Sequence, residues 1–253
     1  MHLAYLDNLG MPLWYLGAMR IQVEIKRNGR RKSVGFSVRW PDTMVVSAPA
    51  RMDKKTLDEM VADRLAWAER RLAKTAADYQ RLGLPKQYIG GESFPYLGRQ
   101  YPLTLMVTGN SARLKCTLVE GRLVAVIPRA DEFDQSGLAR KALMKWYRRQ
   151  AAEDLADSVN RWTPVIGRTP AILRIRNQRT RWGSCSRAGA VNLNWRLVTL
   201  PPVVLDYVVV HELCHLIEPN HSSRFWVLVA KIMPDYKQRR ILLRRHSAYL
   251  DAF

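Results

Sequence analysis

The chain has 253 residues, with 41 Lys and Arg against 22 Asp and Glu, a formal net charge of +19 and a hydrophobic fraction of 47%. That composition excludes a disordered or collagen-like chain and describes a globular protein long enough for one large core or two smaller ones. Cys116, Cys185 and Cys214 leave one thiol over in any pairing, so a disulfide framework is excluded and a reducing compartment is expected.

Residues 1–20 carry only His2 ahead of an apolar stretch that Asp7, Asn8 and Pro12 interrupt, which argues against a secretion signal. They read as an N-terminal extension, and the protein is expected to be cytoplasmic. No run reaches the roughly 20 uncharged residues of a membrane span, and even Val203–Val210 contains Asp206. Alternation in Ile21–Ile25 and Ser33–Arg39 around Asn28-Gly29 predicts two strands joined by a tight hairpin turn. A third strand, Met44–Ser47, leads through Pro49 to Asp53. That aspartate is the expected N-cap of a long helix carrying Leu57, Met60, Val61, Leu65, Trp67, Leu72 and Ala76, ended by Gly83 and Pro85. Short strands follow within 91–105 and 113–127, the last pair joined at Glu120-Gly121. From Asp134 the period turns helical through Leu138, Ala142, Trp146, Leu155 and Val159, with Pro164 expected to close the segment. Ile172–Ile175 and Val191–Leu197 read as strands, Pro201-Pro202 starts a helix through Ile217, and Ser222-Ser223 starts another.

The apolar helix after Pro202 contains His211, Glu212 and His215, the pattern H-E-x-x-H. Two imidazoles at i and i+4 share a helix face about 6 Å apart, close enough to ligate one Zn²⁺ at about 2 Å, with Glu212 beside the metal as a general base. A catalytic zinc needs a third protein ligand, for which Glu218, His221, Asp235 and His246 are available downstream. Glu218 lies about 10 Å along a continuous helix from His211. Pro219 disfavours helix at Glu218, and Asn220 tolerates a left-handed turn, so the chain can reverse and bring His221 back. His221 is therefore ranked first.

The set formed by Arg179–Ser186 (RTRWGSCS), Val191–Leu197 (VNLNWRL), the His211–His215 motif, His221 and Phe225-Trp226 resembles the YgjP-like zinc metallopeptidases, relatives of the SprT-like proteases within the zincins. The resemblance is strongest from Asn177 to Trp226. It implies that His211, His215 and His221 bind one zinc ion per chain, that Glu212 is the catalytic base, and that the C-terminal part is a compact zincin core. The expected fold class is thus α+β. A small β-sheet unit with one long helix spans 21–130, and a zincin-like metallopeptidase domain with the H-E-x-x-H helix spans 131–253.

The expected function is hydrolysis of peptide or protein substrates by a zinc-activated water. The strand Val191–Leu197 is a candidate to align an extended peptide by backbone pairing. Asn194, Trp195, Arg196 and Tyr207 are the candidate substrate-binding residues, Tyr207 and Arg196 also candidates for oxyanion stabilisation, set against plain packing roles. Basic clusters at 26–32, 145–149, 174–187 and 237–245 make nucleic acid a candidate partner. The alternative function is accordingly a nucleic-acid-associated protein, either a protease acting on DNA-bound proteins, by analogy with the SprT-like enzymes, or a basic binding module with a structural zinc. A structural zinc has no need of Glu212, which favours the enzyme.

Overall fold

Alternation is strictest in Thr43–Pro49, where Met44, Val46 and Ala48 are fully buried, and this strand occupies the centre of the first sheet. The computed structural model describes residues 21–109 and 113–252, so the extension at 1–20 lies outside the described residues. With β1 as Gln22–Asn28, β2 as Gly35–Arg39 and β3 as Thr43–Pro49, the sheet order is β1-β3-β2. β1 runs parallel to β3 and β2 antiparallel to it. The hairpin expected at Asn28-Gly29 is therefore corrected. Asn28 does make a turn, accepting from Arg30 N at 2.8 Å through its side chain and from Arg31 N at 3.3 Å through its carbonyl. Residues 29–34 then carry β2 to the far side of β3, because the most apolar strand takes the place between the other two.

Helix α1, Lys54–Arg81, starts where expected, with the Asp53 carboxylate accepting from Thr56 N at 2.8 Å. It buries Leu57, Ala68, Leu72, Ala76 and Tyr79, and Leu57 and Ala68 join Met44, Val46 and Ala48 in one core cluster with Phe36, Val38, Val61 and Trp67 around it. The described residues up to Arg81 form one compact unit and those from Leu82 a second. There β4 (Ser93–Tyr96), β5 (Arg99–Thr108), β6 (Lys115–Val119) and β7 (Arg122–Pro128) form a sheet of order β4-β5-β7-β6. The buried face of β7, Leu123, Ala125 and Ile127, packs on the helix that follows, so sheet and helix share a core.

That helix, α2, spans Glu132–Ile166, capped by Asp131, whose side chain accepts from Asp134 N. Pro164 lies inside its last turn and does not close it. Proline removes one backbone donor, but its fixed φ is helical, so near the end the helix loses a bond and continues to Gly167, whose left-handed φ of 73° ends it. A third sheet contains β8 (Ile172–Arg176), β9 (Gly183–Cys185) and β10 (Ala190–Asn194) in the order β8-β10-β9. β10 is paired on both sides, parallel to β8 and antiparallel to β9. It has no free edge for a peptide, contrary to expectation, and the sheet's edge strands are β8 and β9. The strand also stops earlier than expected, because Asn194 caps a 3-10 helix, Trp195–Thr199, by accepting from Arg196 N at 3.1 Å. Helices α3 (Pro202–Cys214), α4 (Ser223–Ile232), α5 (Tyr236–Arg245) and α6 (Tyr249–Ala252) complete the described chain. No described helix is long and apolar enough to cross a membrane.

Candidate metal centre

α3 is apolar on nearly every side, burying Val204, Leu205, Tyr207, Val208, Val209, Val210, Leu213 and Cys214, as a helix enclosed by its own domain must. It has no side-chain N-cap and starts on Pro201 and Pro202, so its entry is fixed from outside. Leu97, in the β4–β5 turn, donates its N–H to the Val198 carbonyl at 2.7 Å. Gly98 beside it has a φ of 78°, and a Cβ there would meet Pro201 Cα at 2.9 Å, so only glycine lets this turn seat the helix start.

The other end of α3 carries His211, Glu212 and His215. After Cys214 the chain tightens, with Leu216 N and Ile217 N bonding to the Leu213 and Cys214 carbonyls at 3.0 Å, and the helix ends before the expected Ile217. The reversal through Pro219 and Asn220 returns His221, whose ring centroid lies 4.9 Å from His211 and 4.6 Å from His215. One ligand atom from each of the three histidines lies within 4.8 Å of the others, a convergence that no other group of His, Cys, Asp or Glu makes among the described residues. The remaining candidates are engaged elsewhere. Asp235 pairs with Arg239 at 2.9 Å, His246 Nδ1 lies 2.8 Å from the Leu242 carbonyl, and Glu218 contributes its backbone instead of its carboxylate.

That contribution orients His215. Its Nδ1 lies 3.0 Å from the Glu218 carbonyl, and a carbonyl only accepts, so Nδ1 carries the proton and Nε2 keeps its lone pair for a metal. Burial pulls the His211 pKa down to about 3, with smaller contributions from His215, His221 and Arg240, and burial likewise lowers that of His221. Both rings are therefore neutral near pH 7. His211 Nε2 and His221 Nε2 approach to 3.0 Å, and two neutral rings share at most one hydrogen bond across such a gap, whereas a cation accepts both lone pairs. The donor set thus fits a divalent metal. Behind the rings, fully buried Phe225 touches all three, stacked on His215 at 4.4 Å and edge-on to His211 and His221 at 4.9 Å, fixing their orientation without competing for their nitrogens.

Glu212 is 6% exposed, and burial pushes its pKa up to about 8 against the opposing pull of Arg181. Its carboxylate lies against β9. A Cβ on Gly183 would sit 2.7 Å from both Cγ and Oε1 of Glu212, so the missing side chain is what leaves room for the carboxylate. Sequence reasoning missed this role of Gly183, since nothing in local spacing links a strand glycine to a glutamate so far along the chain.

Asn194, Trp195, Arg196 and Tyr207 are all buried, as Glu212 is. Asn194 Nδ2 donates to the carbonyls of Gln178 and Arg181 at 2.6 and 2.9 Å, while Trp195 Nε1 and Arg196 Nη1 both donate to Asn177 Oδ1 at 3.0 and 2.6 Å. Together they fasten residues 177–182, the segment that delivers Gly183 and Arg181 to Glu212. Tyr207 packs edge-on to His211 with its ring centroid 6.0 Å away. Cys185 and Cys214 are free thiols outside the histidine cluster.

No curated protein matches the chain. Among solved structures it is similar to the crystal structure of the metallopeptidase zymogen abylysin from Pyrococcus abyssi, with 28% identity over 36% of this chain and 93% of that one and a TM-score of 0.33. The YgjP-like metallopeptidase domain model matches residues 32–246, most of the sequence and all of the histidine cluster, and the chain therefore belongs to the YgjP-like metallopeptidase family.

Proposed function

We propose that this metallopeptidase-family protein is a zinc-dependent peptidase of the H-E-x-x-H class, in which His211, His215 and His221 hold the ion and Glu212 is the catalytic base. The observation that carries the reading is the convergence of three imidazole nitrogens within 4.8 Å next to a buried carboxylate. A zinc ion held there supplies a Lewis acid for the scissile carbonyl and makes water acidic enough to attack near neutral pH. Glu212 would take the proton that the attacking water loses and hand it to the leaving amine, two transfers that a single carboxylate beside the metal can link. Gly183 and the 177–182 segment hold that carboxylate in place. The outer edge of β9, adjoining Glu212, offers backbone groups with which an extended peptide pairs as an added strand.

Elemental analysis combined with hydrolysis of a broad peptide library tests the assignment. About one zinc per chain is expected in the wild type and in Glu212→Gln, with clear loss in His221→Ala and with hydrolysis confined to the wild type. Zinc undiminished in His221→Ala would move the third ligand elsewhere. A fully loaded wild type that cleaves nothing would sink the peptidase reading.

A further inference from the structure

The basic cluster at 145–149 plays no part in the histidine site, and with its neighbours it forms a surface of its own. Arg140, Lys141, Met144, Lys145 and Arg148, all on α2, line an open groove of about 430 Å³. At 100° per residue these five positions fall within about 140° of the helix surface, and at 1.5 Å per residue they extend about 12 Å along it. The four cationic side chains are exposed, and none forms an ion pair with a described residue. The sequence explains why: between Asp134 and Glu153 the helix contains no carboxylate, so no partner exists at i±3 or i±4. Arg140 leans over the Tyr88 ring at 5.7 Å, and Glu92, the acid closest to Tyr88 in sequence, already accepts from the Gln87 and Tyr88 amides.

We propose that this face of α2 is a binding site for the phosphate backbone of nucleic acid. Four like charges held on one rigid helix repel one another and are relieved by a dense anion. Duplex DNA carries one negative charge per about 1.7 Å of axis and a condensed counterion atmosphere, so four clustered cations gain from releasing those counterions, a gain that the sparser charge of an acidic peptide does not offer. Among the described residues no aromatic side chain lines the groove, so bases have nothing there to stack on and the binding is independent of sequence. The site does not depend on the peptidase reading, and Glu212→Gln protein binds equally well.

The test is a salt titration of binding to mixed-sequence duplex and single-stranded DNA, using the full chain. One variant combines Arg140→Gln, Lys141→Gln, Lys145→Gln and Arg148→Gln; a charge-matched control combines Lys54→Gln, Lys55→Gln, Arg70→Gln and Arg71→Gln on exposed positions of α1. Glutamine preserves helix propensity, and zinc content and far-UV spectra confirm the fold. The groove variant is expected to bind duplex about 100-fold more weakly at low salt and to lose about 3 from the slope of log K against log salt, while the control changes little. If the groove variant fails to fold, Lys145→Glu and Arg148→Glu singly are each expected to weaken binding and flatten the slope by about 1. No wild-type binding at low salt, or equal losses in both variants, would overturn the proposal. So would polyglutamate or phosphatidylserine vesicles competing as well as DNA through the same four residues, which would reassign the surface to that partner.

Discussion

Helices α1 and α3 are held in place by opposite means. α1 is long, is started by its own Asp53 cap, and buries one stripe while its charges face water. α3 is half that length, has no side-chain cap, and is surrounded on most sides, with its entry set by Gly98 and Pro201 and its exit by the turn at Glu218. A helix of the first kind announces itself locally and tolerates polar residues anywhere off its stripe. In one of the second kind every polar side chain is expensive, because burial without a partner costs several kcal/mol for a charged group. That Glu212 is buried on α3, between the half-buried His211 and His215, is therefore the strongest physical argument that the three have a chemical role.

Changes at α3 should accordingly act through chemistry or through packing, and the two are separable. Glu212→Gln is expected to have the largest effect, lowering kcat/KM by about 10²- to 10⁴-fold with zinc content and thermal midpoint held, as measured on any cleaved library peptide. Retained activity would show that another group moves the proton. Phe225→Ala removes the support beneath all three imidazoles and is expected to cost about 3–5 kcal/mol in chemical denaturation, with partial loss of metal. A stable Phe225→Ala protein with full zinc would mean that the ring orientations are set by the histidines' own helix and turn.

Gly183→Ala comes next and probes the contact that sequence reasoning could not see. The added Cβ must displace the Glu212 carboxylate, so hydrolysis is expected to fall while metal is retained, and the cost in stability should shrink when Glu212 is replaced by Ala. A coupling of about 0.5–3 kcal/mol between the two positions in a double-mutant cycle is the expected size, and additivity would remove the contact from the account.

What was legible in the sequence divides along the same line. The Asp53 cap, the burial of Leu57, Leu72 and Ala76 on α1 and the i, i+4 histidines follow from nearest-neighbour chemistry along one helix and are present in the structure, whereas Leu65, expected on the same stripe, is exposed. The convergence of His221 was legible because Pro219 and Asn220 are local turn signals. The order β1-β3-β2, the central position of β10, and the burial of Asn194, Trp195 and Arg196 depend on which strand pairs with which, and local pattern does not encode that choice. Gly183 belongs to the same class, since its importance lies in an atom it lacks next to a residue on another element.

The smallest effect belongs to α1 and isolates its kind of stability. The Asp53 carboxylate accepts from Thr56 N, and that backbone hydrogen bond lowers its pKa below the ordinary 3.8. A depressed carboxylate contributes stability that is fully present above its ordinary pKa and is lost as pH falls through the lowered one. Asp53→Ala should therefore lower the thermal midpoint of the unit ending at Arg81 by a few degrees at pH 7, and by less as the pH drops below 3.8, while Asp53→Asn, which still caps, should lose less at pH 7. Neither change should alter hydrolysis, because residue 53 belongs to a unit that contains none of the proposed ligands. A deficit in Asp53→Ala that stayed constant with pH would place the effect in helix propensity alone. Lost activity in either variant would show that the first unit takes part in the chemistry of the second.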